Sequence, residues 1–398
     1  MKILVVCQYY YPEQFQINEI CEQLEKNGNS VTVLTGLPNY PSGVIPKEYR
    51  GRKKHIEIVN NVKVIRCFEI GRGRGLVRLA INYISYMVSA SLEALLYKDD
   101  FDIILVYQLS PITMALPGVV LKKKFKKPLY LYCCDIWPES LRSVIPDERH
   151  LLFRTIKKFS RYIYSNCDHI SITAKSFTHY FIAEHSIPFE KLSYIPQRAE
   201  DEYLQMDFSP DNDVVDFVFM GNIGISQDID CIINAVDRIK NIPNFQVHFV
   251  GDGSYLQKSK ELVKHKGLNN VVKFHGWHPL QQMPKFYKLA DACLLTLKGD
   301  TKIGETIPLK LQGYMAAGKP VIAAINGSSR EVINNALCGI CVDASDDRAL
   351  AEAMKHFILN REKYSESGDR GREYFRENFT NLMFMSKLSE IMSKLVGG

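Results

Sequence analysis

The chain has 398 residues, 46% of them hydrophobic and 24% charged, the make-up of an ordinary globular protein rather than a disordered or fibrous one. Its length suggests about two to three domains, and no run of about 18 apolar residues marks a membrane-spanning helix. The net charge of +6 is uneven, with +8 on residues 1–200 and −2 on residues 201–398, so an acidic partner surface is expected for the first half.

Met1-Lys2-Ile3-Leu4-Val5-Val6 has the pattern of a buried strand, so no secretory leader is expected. Residues 15–27 follow a helical period through Phe15, Ile17, Ile20, Cys21 and Leu24. Gly28 ends that helix and residues 31–35 form the next strand. Residues 56–59 and 62–67 read as a hairpin across Asn60-Asn61. Further strands are expected at 103–107, 129–134 and 169–173, with helices at 76–98, 112–125 and 151–166 between them. Strands alternating with helices of this length imply a parallel sheet covered on both faces.

The pattern then restarts. Residues 201–214 are acidic and polar and read as a linker. A second series of strands follows at 216–220, 246–250, 272–275, 292–296, 321–324 and 339–342, with helices between them. The helices at 347–359 and 363–378 continue into 382–395, which is expected to cross back to the first unit. The expected division is 1–200, 213–375 and a crossing helix in 376–398.

The ten cysteines lack framework spacing. Cys7, Cys133, Cys134 and Cys293 lie in apolar segments, where a free thiol packs as a small hydrophobe, and the cytosol is the natural compartment for such a chain. Cys338-Gly339-Ile340-Cys341 has no second Cys/His pair, which argues against zinc. Asp100-Phe101-Asp102 and Asp228-Ile229-Asp230 are each too few ligands for a hard cation, so no metal is expected.

In open α/β sheets, ligands bind outside the carboxyl ends of the strands. Four loops of the second half lie there. Gly221, Asn222 and Gly224 follow the first strand of the restart. Gly251 opens Gly251-Asp252-Gly253, and Trp277 and His278 follow the third strand. Glu305-Thr306-Ile307-Pro308-Leu309-Lys310 leads into a helix ended by Gly318 and Pro320. A helix N-terminus after a polar loop presents unpaired N–H groups and a partial positive charge suited to phosphate, so Ile307, Pro308, Leu309 and Lys310 form a candidate cradle. The bland alternatives are ordinary Gly turns and a locally packed Trp277.

In the first half, Asp135, Trp137 and Glu139 follow the strand at 129–134. Two carboxylates there suit an acid, a base or a sugar contact; capping by Asp135 and a core role for Trp137 are the alternatives. Tyr10, Glu13 and Gln14 follow the first strand, and Asn39 and Tyr40 the second. Residues 79–92 are uncharged, preceded by Arg72, Arg74 and Arg78. A basic edge beside an apolar helix fits an anionic membrane surface, against the alternative of a buried core helix. No recognition helix, aromatic RNA-binding strand or zinc finger supports nucleic acid.

Gly251-Asp252-Gly253, Ala290-Asp291-Ala292 and the run from Tyr314 to Ile322 resemble the retaining glycosyltransferases of family 4. Asp135-Ile136-Trp137-Pro138-Glu139 and Leu37-Pro38-Asn39-Tyr40-Pro41 resemble a narrower branch, the bacterial O-antigen and capsule transferases that include N-acetyl-L-fucosaminyl transferases. The resemblance implies an α/β GT-B fold: two doubly wound Rossmann-like domains facing a deep interdomain cleft. It implies a UDP-sugar donor in the C-terminal domain, with no other cofactor and no metal. The acceptor implied is a polyprenyl-diphosphate-linked saccharide held by the N-terminal domain at the inner face of the cell membrane. Asp135, Glu139 and Glu305 are then the catalytic candidates, Glu305 orienting the donor sugar. Three departures stand out. Gly313 replaces a second, ribose-binding Glu. Asn222 and Gln227 replace an Arg/Lys pair at the diphosphate, leaving Lys310, with Lys302 or Arg330, to meet it. A histidine common in the catalytic region is replaced within Asp135-Ile136-Trp137-Pro138. A UDP-sugar 2-epimerase of the same fold and a weakened sugar-nucleotide-binding subunit are the rival readings.

Overall fold

The computed structural model describes residues 1–142, 144–145, 147–199, 201–210, 212–299 and 307–397. The chain forms two compact units: Met1–Ile195 with Met385–Gly398, and Pro196–Phe384.

The first unit is built on strands β1 (Lys2–Val6), β2 (Ser30–Thr35), β3 (Ile56–Val59), β4 (Val62–Arg66), β5 (Ile103–Gln108), β6 (Leu129–Cys133), β7 (His169–Ile172) and β8 (Leu192–Tyr194). Their order is β3-β4-β2-β1-β5-β6-β7-β8. Every pair is parallel except β3–β4, a hairpin in which Asn60 and Asn61 both take positive φ, the backbone of a two-residue turn that matches strand twist. β5 and β6 are buried at every residue, because a parallel strand is covered on both faces. Helices α1 (Gln16–Lys26), α2 (Leu76–Leu96), α3 (Leu116–Phe125), α4 (Leu151–Asn166) and α5 (Phe177–His185) link the strands. The strand order reverses between β1 and β5.

The second unit carries β9 (Val215–Met220), β10 (Phe245–Val250), β11 (Val272–Gly276), β12 (Ala292–Thr296), β13 (Val321–Ala324) and β14 (Gly339–Val342). They form one parallel sheet in the order β11-β10-β9-β12-β13-β14, reversing between β9 and β12. Its helices are α6 (Ile229–Ile239), α7 (Leu256–His265), α8 (Met283–Leu289), α9 (Leu309–Ala316), α10 (Gly327–Ala336), α11 (Asp347–Leu359) and α12 (Ser365–Asn378). One core packs α8, α9 and α12 on one face of the sheet, the other α6 and α11. α13 (Asn381–Gly397) follows, and from Met385 onward it belongs to the first unit. There Lys387, Ile391 and Leu395 line a hollow with His169 and Tyr194.

Two expectations change. The segment 201–214 is no free linker. Tyr203 and Phe208 are buried in the α8–α9 core, and Lys319 reaches back to donate to the carbonyls of Phe208 and Ala290. Acidic residues dominate its composition, so two aromatic anchors were hidden. The helix expected at 112–125 begins as a tighter turn over Ile112–Ala115 and becomes α-helical at Leu116, with Pro117 in its first turn, where a missing N–H costs nothing.

α2 is not a buried core helix. Asn82, Tyr86, Ala90 and Ala94 face inward, and the Tyr86 hydroxyl donates to the Cys7 carbonyl at 3.0 Å. Val77, Ile81, Ile84, Val88, Leu92 and Leu95 run along its other side with between 40% and 76% of their surface exposed.

Candidate functional site

In the second unit the loop after β9 and the start of α9 meet where the strand order reverses, the place where open α/β sheets take ligands. Gly221 takes φ +128, and a Cβ there would lie 3.2 Å from the Lys310 Cε. The Lys310 ammonium sits 4.0 Å above the Phe219 ring and donates to the Gln227 side-chain carbonyl at 2.5 Å. Gln227 is fixed in turn by the Thr296 hydroxyl, which donates to its backbone carbonyl at 2.5 Å. No carboxylate among the described residues pairs with this ammonium. Burial lowers its pKa to about 7, because a charge removed from water favours its neutral form. A cation held this way is short of an anion.

Helix α9 begins beside the same loop, with its Leu311 N–H donating to the Pro308 carbonyl at 2.9 Å. Pro308 is its extended cap residue and Leu309 its first helical residue; Leu309 is exposed, while Ile307 packs on the core. The helix is anchored by Tyr314, whose buried hydroxyl accepts from the Met220 N–H at 3.0 Å. Anion binding at such a terminus draws on both the free N–H groups and the helix dipole.

The glycines of the neighbouring loop serve backbone packing. A Cβ on Gly251, at φ +144, would lie 1.9 Å from the Gly221 carbonyl oxygen, and one on Gly253 would lie 2.4 Å from that of Ile223. Gly251 therefore approaches another loop, and any part in holding a ligand runs through Gly221. Asn222 is exposed beside buried Gly224. Trp277 is 71% exposed, so the local-packing alternative does not describe it, whereas His278 is half-buried and bonded to Gln282 at 2.8 Å.

Position 313 faces inward. A Cβ there would lie 2.6 Å from the Tyr287 hydroxyl oxygen, and Tyr287 is itself buried against Tyr203 and Phe208. A glutamate has no room at this position. Arg330 is bonded to Asp343 and Asn326, which removes it as a spare cation. Glu305 and Lys302 lie outside the described residues.

In the first unit the structure corrects several acceptor and catalytic expectations. The rings of Tyr10 and Trp137 are buried, and the Trp137 indole N–H donates to the Ser110 hydroxyl at 3.1 Å, so neither offers a ring face. Glu139 is buried against Arg142. Glu13 is buried and accepts the Asn39 and Tyr40 N–H groups at 2.7 and 2.5 Å. Asn39 is buried and bridges Leu37, Glu69 and Arg72. These side chains hold the loop; they do not reach out of it. Those that remain accessible are Gln14, Tyr40 and half-buried Asp135. Asp135 accepts from the Ser110 hydroxyl at 2.7 Å, and burial raises its carboxyl above the usual range while that bond pulls it back. Arg72 lies 5.3 Å over the Tyr40 ring.

Residues 205–374 match the family described as "Glycosyl transferases group 1". WcaI of Escherichia coli K12, assigned to colanic acid biosynthesis as a glycosyl transferase, is 25% identical over 391 residues, covering 90% of this chain and 92% of that one. The second unit, Pro196–Phe384, carries the match to the group 1 glycosyltransferases. A phosphatidylinositol monomannoside mannosyltransferase of Mycobacterium tuberculosis, named as GDP-mannose-dependent, is 24% identical, but the match spans only 41% of this chain and 43% of the relative. Among solved structures, sucrose-phosphate synthase of Thermosynechococcus elongatus superposes with TM-score 0.77 at 16% identity, covering 100% of this chain and 99% of that one. Anabaena Alr3699/HepE in complex with UDP and glucose gives 0.69 at 16% identity, covering 99% of each chain. The fold is GT-B.

Two buried or half-buried polar residues escaped sequence reasoning. In the sequence Gln227 marks only a lost cation, yet its side-chain carbonyl is the acceptor that holds Lys310. Glu69 was not singled out at all. It is fully buried, receives hydrogen bonds from Gln8 and Asn39, and burial keeps its carboxyl well above the usual range. A lone Glu after a strand carries no spacing signal that would mark it.

Proposed function

We propose that the chain transfers a sugar, an N-acetylated amino or deoxyamino sugar by resemblance, from a UDP-sugar to a polyprenyl-diphosphate-linked saccharide. The reaction belongs to O-antigen or capsule assembly and retains anomeric configuration without a metal. The observation that carries this reading is the Lys310 ammonium, buried without a carboxylate among the described residues, beside the N-terminus of α9 and the open loop at Gly221. Charge developing on a departing diphosphate would meet donors already in place, the arrangement that lowers a barrier most. That HepE was solved with UDP and with UDP-glucose and that WcaI is assigned to colanic acid biosynthesis support the donor and the pathway class. Asp135 is the acid or base candidate on the acceptor side. The exposed apolar side of α2, flanked by Arg72, Arg74 and Arg78, would hold the inner face of the cell membrane.

The mycobacterial relative's name favours one alternative, a GDP-sugar donor. Sealed Gly313 favours another, a binding subunit with a weakened ribose grip. One experiment separates these readings: UDP- and GDP-sugars are each supplied with and without a lipid-linked acceptor, and nucleoside diphosphate release and sugar isomerisation are both followed. Acceptor-dependent release from a UDP-sugar is expected. Isomerisation without acceptor would establish an epimerase, and binding without turnover a support subunit.

A further inference from the structure

The first unit contains a cavity of about 480 Å³, within the roughly 300–1,000 Å³ range of small-molecule sites, that the transfer chemistry does not use. Leu37, Ile45, Cys67, Phe68, Leu92 and Leu96 give it an apolar lining. Leu92 belongs both to this cavity and to the exposed stripe of α2, so the two apolar surfaces are continuous. At the other end, Leu37 and Ile45 bracket the loop that carries Asn39 and Tyr40. Arg72 lies over Tyr40 at 5.3 Å and gives its N–H to the Asn39 side chain at 3.0 Å. The charges around the cavity are mainly basic. Arg50, Arg66 and His55 are in its wall; Arg66 is ion-paired with Glu57 and His55 faces Glu93 at 3.5 Å, so Arg50 and nearby Arg72 are the cations left to meet an anion.

We propose that this cavity takes the hydrocarbon chain of the acceptor lipid, with the lipid phosphates directed toward Arg72 and Tyr40. The proposal rests on the acceptor being lipid-linked. An apolar channel continuous with a membrane-facing helix lets an isoprenyl chain leave the bilayer without meeting water, and the arginines complement the diphosphate it carries. The chain then acts as a tether that sets where the saccharide is presented.

The test uses farnesyl diphosphate, isopentenyl diphosphate and inorganic diphosphate as probes on the full chain by calorimetry, with UDP in excess to occupy the Lys310 region. Farnesyl diphosphate is expected to bind at least tenfold more tightly than isopentenyl diphosphate. Leu92→Trp, which fills the cavity from an exposed position, is expected to abolish that preference while leaving the affinity for inorganic diphosphate unchanged. Leu96→Trp, also on an exposed position, is the second filling variant. Equal affinity for the two isoprenyl probes, or a farnesyl preference that survives both substitutions, overturns the proposal. Binding of the wild-type chain to phosphatidylglycerol vesicles is measured alongside. Failure there defeats the membrane reading of α2 and leaves the cavity result standing, whereas vesicle binding without chain-length preference does the reverse.

Discussion

Replacing Lys310 by methionine keeps the length of the side chain and removes the ammonium. The pKa of about 7 makes the consequence calculable. At pH 8 a group of pKa about 7 is roughly one-tenth protonated. A bound diphosphate returns it toward the ordinary lysine value near 10.4, so binding takes up about 0.9 proton. The same arithmetic gives about 0.5 proton at pH 7 and about 0.1 at pH 6. Affinity for UDP, already fully ionised above pH 7, then falls about fifty-fold between pH 7 and pH 9. Titration calorimetry in buffers of different ionisation enthalpy reads the proton count directly. The stability of the unliganded protein moves the other way. With the folded pKa below the unfolded one, the unfolded chain binds more protons between about pH 7 and pH 10, and this group's contribution to stability rises across that window. Lys310→Met should therefore stabilise the unliganded protein by about 1–3 kcal/mol at pH 7, discounted for the partial exposure of the residue, and by less toward pH 10. Proton uptake at pH 8 that persists in Lys310→Met, or no uptake in the wild type, would refute the placement of the diphosphate at this ammonium.

Gly251→Ala should cost more than about 3 kcal/mol in chemical denaturation, since its Cβ would overlap the Gly221 carbonyl and its φ is closed to other residues; wild-type stability would show that the two loops do not meet. Gly313→Ala should cost about 1–3 kcal/mol. Much of that loss should disappear in a Tyr287→Phe background, because the hydroxyl is the atom in the way; additive losses in the double-mutant cycle would deny the contact. Val77→Asp with Ile84→Asp should lower binding to anionic vesicles at least tenfold while the melting temperature stays within about 2 °C, as surface changes normally do. Unchanged vesicle binding would take α2 out of the membrane interface.

Most of the alternation was legible because the central parallel strands are apolar runs and helices such as α1, α4 and α6 carry a 3.6-residue stripe; α5 and β8, with no such pattern, went unread. Even the Asn60-Asn61 turn announced itself through two residues that tolerate positive φ. The two ends of α9 were equally plain, Pro308 at its start and Gly318 just past its end. What one chain could not reveal was direction and contact. Tyr10, Glu13, Asn39 and Trp137 lie in loops at the carboxyl ends of strands, as expected, yet their side chains turn inward, Glu13 and Asn39 to backbone groups and Trp137 to the Ser110 hydroxyl. Position in a loop says nothing about which way a ring points. Gly313 looked like a lost ligand contact, and only the hydroxyl of Tyr287, 26 residues earlier in the chain, shows that the position is filled. Gln227 looked like a lost charge until Lys310 arrived from 83 residues away.

The proposed reaction passes a sugar from a UDP-sugar to a lipid-linked saccharide, with Lys310 beneath the leaving diphosphate. Product formation from a panel of UDP-sugars and polyprenyl-diphosphate-linked saccharides, with the anomeric configuration of the new bond read by NMR, tests it most directly. A retained configuration is expected, with a rate at least a hundredfold lower in Lys310→Ala, about 2.7 kcal/mol of lost transition-state stabilisation. An inverted product, or full turnover in Lys310→Ala, would contradict it.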